Sequence, residues 1–421
     1  MSTTTTQHTQ TAYKDTSIGK IPADWEVKRL GELGIFSKGK GILKDQVKEK
    51  GLPCIRYGEI YTSYDYVAQK FKSFIDEDVA KASKEINKGD VLFAGSGETV
   101  DEIGKSVAYL GELKAYAGGD VIVYSPNQDL VSSECLSYTL DLNSVRKQKR
   151  YMGQGNSVVH IYPSDLAKLQ IPLPPLPEQK RIAEVLSTWD QAIQLTEQLI
   201  RQKEQRKKWL MQNLLTGKMR LKGFSGESQF RVLGKFITEV SDRNKNGEIK
   251  NVLSVTNSKG FINQAEQFER EVASADVSNY KIVRKGQFAY NPSRVNVGSL
   301  DLLRKFDIGI LSPMYVVFET DQKNLIPEYL FYLLKTNWFY GHIPMFVQGS
   351  VRDSLSFDGL CGMKFFIPSI EEQTAIAEVL QTAEKEIELR KAKAEKLKEQ
   401  KKGLMQQLLT GRKRLKIEIK V

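Results

Sequence analysis

The chain is predicted to be an α+β protein in which two mixed α/β globular domains are joined by two long, antiparallel coiled-coil helices with pseudo-two-fold symmetry. Three observations predict this. A block of sequence recurs at one fixed spacing, each copy of the block carries a helical apolar stripe without an interior proline, and short β-branched runs broken by Gly, Asn and Pro precede each copy. With 421 residues and 40% hydrophobic content, the chain can bury more than one domain's core, which excludes a peptide or a wholly disordered chain.

The repeat organises everything else. Glu178-Gln179-x-x-Ile182-Ala183-Glu184-Val185-Leu186 returns as Glu372-Gln373-x-x-Ile376-Ala377-Glu378-Val379-Leu380, an offset of 194 residues. Leu210-Met211-Gln212-x-Leu214-Leu215-Thr216-Gly217 returns at the same offset as Leu404-Met405-Gln406-x-Leu408-Leu409-Thr410-Gly411. No residue has been gained or lost between the blocks, so their length is held constant.

Each block reads as one helix. Ile182, Val185, Leu186, Trp189, Ile193, Leu199 and Ile200 recur at helical steps in the first, and Ile376, Val379, Leu380, Ala383, Ile387, Leu389 and Leu397 in the second. Pro177 supplies a start and Gly217 and Gly411 left-handed stops. About 39 residues at a rise of 1.5 Å make a rod of roughly 58 Å. Such a rod cannot bury its stripe against itself, and its own repeat is the simplest partner.

The segments ahead of the rods are diverged copies. Glu134, Leu136, Tyr138 and Leu140 face Glu328, Leu330, Tyr332 and Leu334 at the same offset, which drifts upstream to 197 at Lys88/Lys285 and to 203 at Leu30/Leu233. Runs such as Asp90 to Ala94, Asp120 to Tyr124 and Met314 to Phe318 read as strands, and Tyr64 and Tyr66 read as alternating sheet positions. The resulting order is a disordered tail over 1–19, a globule over 20–170, a helical region over 171–222, a second globule over 223–364 and a second helical region over 365–421. Two such halves joined head to tail pack about a two-fold axis as dimers do. Diverged heads at a set separation suit duplex DNA read at two half-sites.

Net charge is +11, from 62 Lys and Arg against 51 Asp and Glu. Pro174 to Lys222 holds ten cations against five anions, and Pro368 to Lys416 twelve against eight, so most of the excess sits on the rods. Lys207, Lys208, Lys218, Arg220 and Lys222, with Lys401, Lys402, Arg412, Lys413, Arg414 and Lys416, cluster at the rod C-termini. Phosphate contact and simple complementarity to the helix dipole both account for them.

Catalytic and metal chemistry find little support. Cys54, Cys135 and Cys361 are far apart, and His8, His160 and His342 are isolated. There is no long apolar run, so a membrane is not expected, and the three scattered cysteines read as a reducing cytoplasm. Phe93-Ala94-Gly95-Ser96-Gly97 resembles the loop by which methyltransferases hold S-adenosylmethionine, and Tyr290-Asn291-Pro292-Ser293 resembles an amino-methyltransferase motif. The 197 offset places Ala94 on Asn291, so the two fragments occupy one loop in separate globules rather than one active site. Gly104-Lys105-Ser106 ends like a P-loop, but Thr99 stands where its first glycine belongs.

The paired loops instead carry side chains suited to base edges. In the first globule these are Ser96, Glu98, Thr99 and Lys105, with Arg150, Gln154, Asn156 and Ser157; in the second they are Asn291, Ser293, Arg294 and Asn296, with Gln348, Ser350 and Arg352. Arg can hold guanine and Asn or Gln adenine, while ordinary turn chemistry explains any one of them as well.

At this point the chain resembles the DNA specificity subunit of type I restriction-modification systems, from about Pro22 to Lys416. The most specific signals are Leu173-Pro174-Pro175-Leu176-Pro177-Glu178-Gln179-x-x-Ile182-Ala183, its partner Ile367-Pro368-Ser369-Ile370-Glu371-Glu372-Gln373, and the two Leu-Leu-Thr-Gly endings. Ser369 and Glu371 replace two prolines of the first entry. The resemblance implies a non-catalytic subunit with two target recognition domains that bind a bipartite, asymmetric double-stranded DNA site. It implies no cofactor on this chain, two modification subunits that hold S-adenosylmethionine and methylate adenine N6, and restriction subunits that use ATP and Mg. An orphan or modification-only DNA-binding subunit, a nucleic-acid scaffold without sequence preference, and a chain that is itself an S-adenosylmethionine-dependent methyltransferase are the alternatives.

Overall fold

The computed structural model describes residues 12–155, 158–225, 230–264, 276–347 and 354–415. The chain divides into two compact units, Met1–Leu195 with Lys393–Val421, and Thr196–Ala392. Both long helices, Leu176–Leu214 and Ile370–Leu408, have 39 residues and contribute one half to each unit.

In the first unit a five-stranded sheet runs in the order Gly34–Lys38, Val121–Pro126, Val91–Ala94, Ser106–Tyr109, Val67–Ala68. Neighbours are antiparallel except the last pair. Both faces are covered, and the period-two alternation of a strand sorts its side chains between them. Val91, Phe93, Ile122 and Tyr124 pack towards the helices, while Leu92, Ala94, Val121 and Val123 pack towards a second, four-stranded sheet around Ile55, Ala115 and Ala117.

The second unit repeats four of those strands in the same order: Ile237–Val240, Val316–Thr320, Phe288–Tyr290, Leu300–Leu302. Phe288, Tyr290 and Phe318 face the helices; Ala289 and Val317 face the other way. The drifting offset thus records insertions between equivalent strands. The second unit replaces the four-stranded sheet with two ribbons, Leu253–Thr256 with Gly260–Asn263 and Lys281–Arg284 with Ile308–Leu311.

Within each unit the start of one long helix lies beside the end of the other, so they run antiparallel. The Glu-Gln repeat explains itself here. Gln179 accepts from Ser132 N at 2.9 Å and donates to the Leu130 and Pro174 carbonyls at 2.9 and 2.8 Å. Gln373 accepts from Ile326 N at 2.8 Å and donates to the Asn324 and Pro368 carbonyls at 3.0 and 2.9 Å. Every partner is shifted by the same 194 positions.

The glutamates are held across the helix pair. Arg414, beyond the end of the second helix, grips Glu178 at 2.6 and 2.8 Å, and Trp25 Nε1 adds a third bond at 3.0 Å. Arg220, beyond the end of the first helix, grips Glu372 in the same two-pronged way. The side chains of Glu178 and Glu372 are each 1% exposed. Arg414 also pairs with Asp24, whose hydrogen bond holds the guanidinium above its usual range and holds the Asp24 carboxyl below the ordinary carboxylate value.

About three turns inward, Lys401 reaches Asp190, which also accepts from Tyr138 at 2.7 Å; Lys207 reaches Glu384 at 2.7 Å, which accepts from Tyr332 at 2.8 Å. Burial would raise the Glu384 carboxyl, but Lys207 and the Tyr332 hydroxyl outweigh it and hold it low.

Four sequence-based expectations change. Arg220, Arg414, Lys207 and Lys401 are committed to these pairs, so part of the charge assigned to the rod ends is structural. The hairpin Tyr13–Thr16 with Gly19–Pro22 occupies residues expected to be a disordered tail, and Tyr13 donates to the Gly411 carbonyl at 3.0 Å. Tyr64 and Tyr66 lie outside strands, between the helix Tyr57–Thr62 and the strand Val67–Ala68. Leu389, expected in the apolar stripe, is 63% exposed. The glycine stops do hold: Gly217 and Gly411 have φ of +70° and +69°. Ser369 starts the second helix by accepting from Glu372 N at 3.4 Å. Among the described residues no helix is long and apolar enough to cross a membrane.

A buried lysine anchors the loop region of the first unit. Lys149, on the helix Asn143–Met152, donates to the Gly104 carbonyl at 2.9 Å. Burial pushes its amine down to about 8, against a smaller opposing pull from Asp141.

Two predictions follow from this packing. Arg414→Ala leaves Glu178 buried without its cation and destabilises the first unit by about 3 kcal/mol; adding Glu178→Gln restores part of the loss in denaturant titration, and an undiminished loss in the double variant refutes the pairing. For Lys149, the unfolded chain keeps its proton to about pH 10.4 while the folded chain loses it near 8. Between those values the unfolded state binds more protons, so this group's contribution to stability rises with pH. The stability difference between wild type and Lys149→Met should therefore shift in favour of wild type from pH 8 to 10, and a flat difference contradicts the assignment.

Candidate nucleic-acid interface

In the first unit the strand Val91–Ala94 runs into a short ladder. Ser96–Gly97 pairs antiparallel with Val159–His160, and His160 in turn bridges Gln154 through both backbone bonds, at 2.9 and 2.7 Å. Directly opposed residues of antiparallel strands carry their side chains on one face, so Gln154, His160 and Ser96 form a row. Ser96 is 7% exposed and its Oγ lies 3.0 Å from His160 Nδ1. Gln154 and His160 are exposed.

The ladder is braced from behind. Tyr61 Oη donates to the Ser96 carbonyl at 3.0 Å and Lys105 Nζ to the Tyr61 carbonyl at 3.1 Å. Burial pushes the Tyr61 hydroxyl up to about 12, which keeps it a donor. Gly97 has no room for a side chain, since a Cβ would sit 2.8 Å from Tyr61 Oη. Glu98 and Thr99 project from the following turn, which Asp101 ties to Arg150 at 2.8 Å. Beside it a cleft of about 330 Å³ sets Lys105, Arg146 and Lys149 against Asp101, Glu102 and Asp141; its mixed charge does not favour an anion.

In the second unit the strand Phe288–Tyr290 delivers Asn291, 9% exposed. Asn291 shapes its own turn: Oδ1 accepts from Ser293 N at 3.1 Å and Nδ2 donates to Met314 Sδ at 3.4 Å. Ser293, Arg294 and Asn296 then stand exposed without a side-chain hydrogen bond among the described residues. Gly298, at φ +97°, brings this turn against Asn257 of the neighbouring ribbon, whose turn residues Asn257, Ser258 and Lys259 are exposed. Val297 and Met314 add exposed apolar surface, at 55% and 62%.

Of the residues singled out in the sequence, Ser96 and Asn291 are therefore spent on local structure, and Lys105 and Arg150 are braced by neighbours. Glu98, Thr99 and Gln154, with Ser293, Arg294 and Asn296, are presented to solvent. Asn156, Ser157, Gln348, Ser350 and Arg352 lie outside the described residues. Sequence reading missed the Asn257–Lys259 turn, although Thr-Asn-Ser-Lys-Gly between two alternating runs is a hairpin signal. It also passed over His160, for which a lone histidine gives no pattern.

The glycines of Phe93–Gly97 do not form an open cofactor loop. Gly95 N donates to the Asp120 carbonyl at 2.9 Å and Gly95 O accepts from Ile161 N at 3.0 Å, so both its backbone groups are engaged. Among the described residues no group of three or more His, Cys, Asp or Glu side chains could hold a metal ion.

Comparison with known proteins agrees with this architecture. The family described as type I restriction modification DNA specificity domain matches residues 22–205 and 235–399. The type I restriction enzyme MjaVIII specificity subunit of Methanocaldococcus jannaschii is 25% identical over 428 residues, covering 94% of this chain and 95% of its own. The fold is shared with the crystal structure of a type I restriction-modification S subunit from M. genitalium, at TM-score 0.57 and 14% identity over 91% of this chain and 96% of that one. It is shared also with a chain solved in work on complex assembly and conformational transition of the type I system, at TM-score 0.56 and 16% identity over 93% and 99%. The chain thus belongs to the type I restriction-modification DNA specificity family, as a specificity subunit whose role is recognition of the DNA site.

Proposed function

We propose that each globular domain reads one half of an interrupted, asymmetric DNA site and that the paired helices fix the unread spacer between the halves. The observation that carries this reading is a contrast within the chain. The clamp residues repeat at a constant 194 positions, whereas the exposed turns after the equivalent strands do not: Glu98 and Thr99 stand in one unit and Arg294 and Asn296 in the other. A frame held constant around diverged readers fits two unlike half-sites at one separation.

In this reading residues 20–170 and 223–364 are the two target recognition domains, and 171–222 and 365–421 the spacer helices. The chain itself is non-catalytic and binds no cofactor. It directs two modification subunits, which hold S-adenosylmethionine, to methylate adenine N6, and in the larger assembly restriction subunits that use ATP and Mg. Adenine N6 chemistry requires the base to leave the stack, which places that pocket in the modification subunits. The complex works in the cytoplasm.

Two experiments test the division of labour. Exchanging residues 22–165 for those of another specificity subunit should change one half-site in the methylated motif and leave the other; a change in both contradicts modular reading. Inserting four residues after Gln198 and after Ala392, positions related by the repeat, lengthens each helix by about 6 Å. The tolerated spacer should grow by about two base pairs with both half-sites unchanged, and altered half-sites at an unchanged spacer rule out the ruler.

A further inference from the structure

We propose that His160 reads a purine in the first half-site, donating from its outward ring nitrogen to the base N7; the assignment rests on the reading that this face meets DNA. His160 occupies the centre of the row Gln154, His160, Ser96, on a ladder paired on both sides. Its backbone is fixed by both bonds to Gln154, and its ring by the 3.0 Å contact with Ser96 Oγ.

That contact favours one tautomer. Ser96 is only 7% exposed, and His160 Nδ1 is the one hydrogen-bond partner of its hydroxyl among the described residues. A buried hydroxyl proton needs an acceptor, and Nδ1 can accept only in the neutral ring with its proton on Nε2. With Nδ1 accepting, Nε2 carries the proton and is a donor on an exposed side chain. Purine N7 is an acceptor on the major-groove edge of adenine and guanine, and Gln154 beside it offers the amide that tells one from the other. Ser96 is a positioning residue. At the 194-residue offset Ser354 stands in place of His160, so the second unit cannot repeat this contact.

The test uses the full chain assembled with the modification subunits of its own system. Wild type, His160→Ala and Ser96→Ala are each used to select bound duplexes from a randomised pool. In the expected result wild type enriches one interrupted motif, His160→Ala loses a purine preference at one position of one half-site, and the other half-site keeps its preferences, which shows that the variant is folded. Ser96→Ala weakens the same preference without abolishing it. Replacing that purine by its 7-deaza analogue should weaken wild-type binding about ten-fold and leave His160→Ala unaffected. A wild-type motif that His160→Ala reproduces at every position overturns the role of His160 alone. Failure of wild type to enrich any motif overturns the reading of DNA by this face, and the proposal with it.

Discussion

Two buried carboxylates, Glu178 and Glu372, sit at the entries of the two long helices, and each is neutralised by an arginine from beyond the end of the other helix. A carboxylate at 1% exposure is tolerated only when paired and hydrogen-bonded. Neither helix can therefore shift along its partner without stranding a charge. Placement near a helix N-terminus adds a favourable dipole, and the planar guanidinium matches the carboxylate in two bonds. The neighbouring glutamines tie the same helix entries to loop carbonyls of the adjoining domain, so helix register and domain attachment are fixed at one place.

This arrangement explains why length is conserved inside the chain where sequence is not. Each helix carries its own glutamate near its start and an arginine 42 residues later for the other helix's glutamate, Glu178 to Arg220 and Glu372 to Arg414. One deleted residue would turn the following side chains by about 100° and withdraw the guanidinium. The loops at the sheet ends carry no such constraint. Gly97, Gly155 and Gly298 set their turns through close backbone approach, and the residues between them are free to differ.

Much of the fold was legible in the sequence because its causes are local or periodic. The helix limits came from the apolar steps and the glycine stops, and the shared strands from short β-branched runs such as Asp120 to Tyr124 and Met314 to Phe318, which overlap the strands Val121–Pro126 and Val316–Thr320. What was not legible depends on long-range pairing. Nothing local in Arg414 or Lys401 distinguishes a cation that grips a buried acid from one that faces solvent, and the exposed Tyr13 is tied down only because the Gly411 carbonyl lies within reach. The candidate interface was legible as a pair of loops, but not residue by residue. Ser96 and Asn291 have the composition of readers, but Ser96 braces its strand neighbour and Asn291 shapes its own turn, while His160 gains its meaning only from the strands on either side.

The central expectation is that one chain carries two unlike readers, one in each unit. It is tested most directly by sequencing N6-methyladenine across the genome of the source strain with and without this gene. The account predicts that deletion removes methylation from a single interrupted motif whose two halves differ. Loss of a palindromic motif, or of two motifs that occur independently of each other, would contradict it.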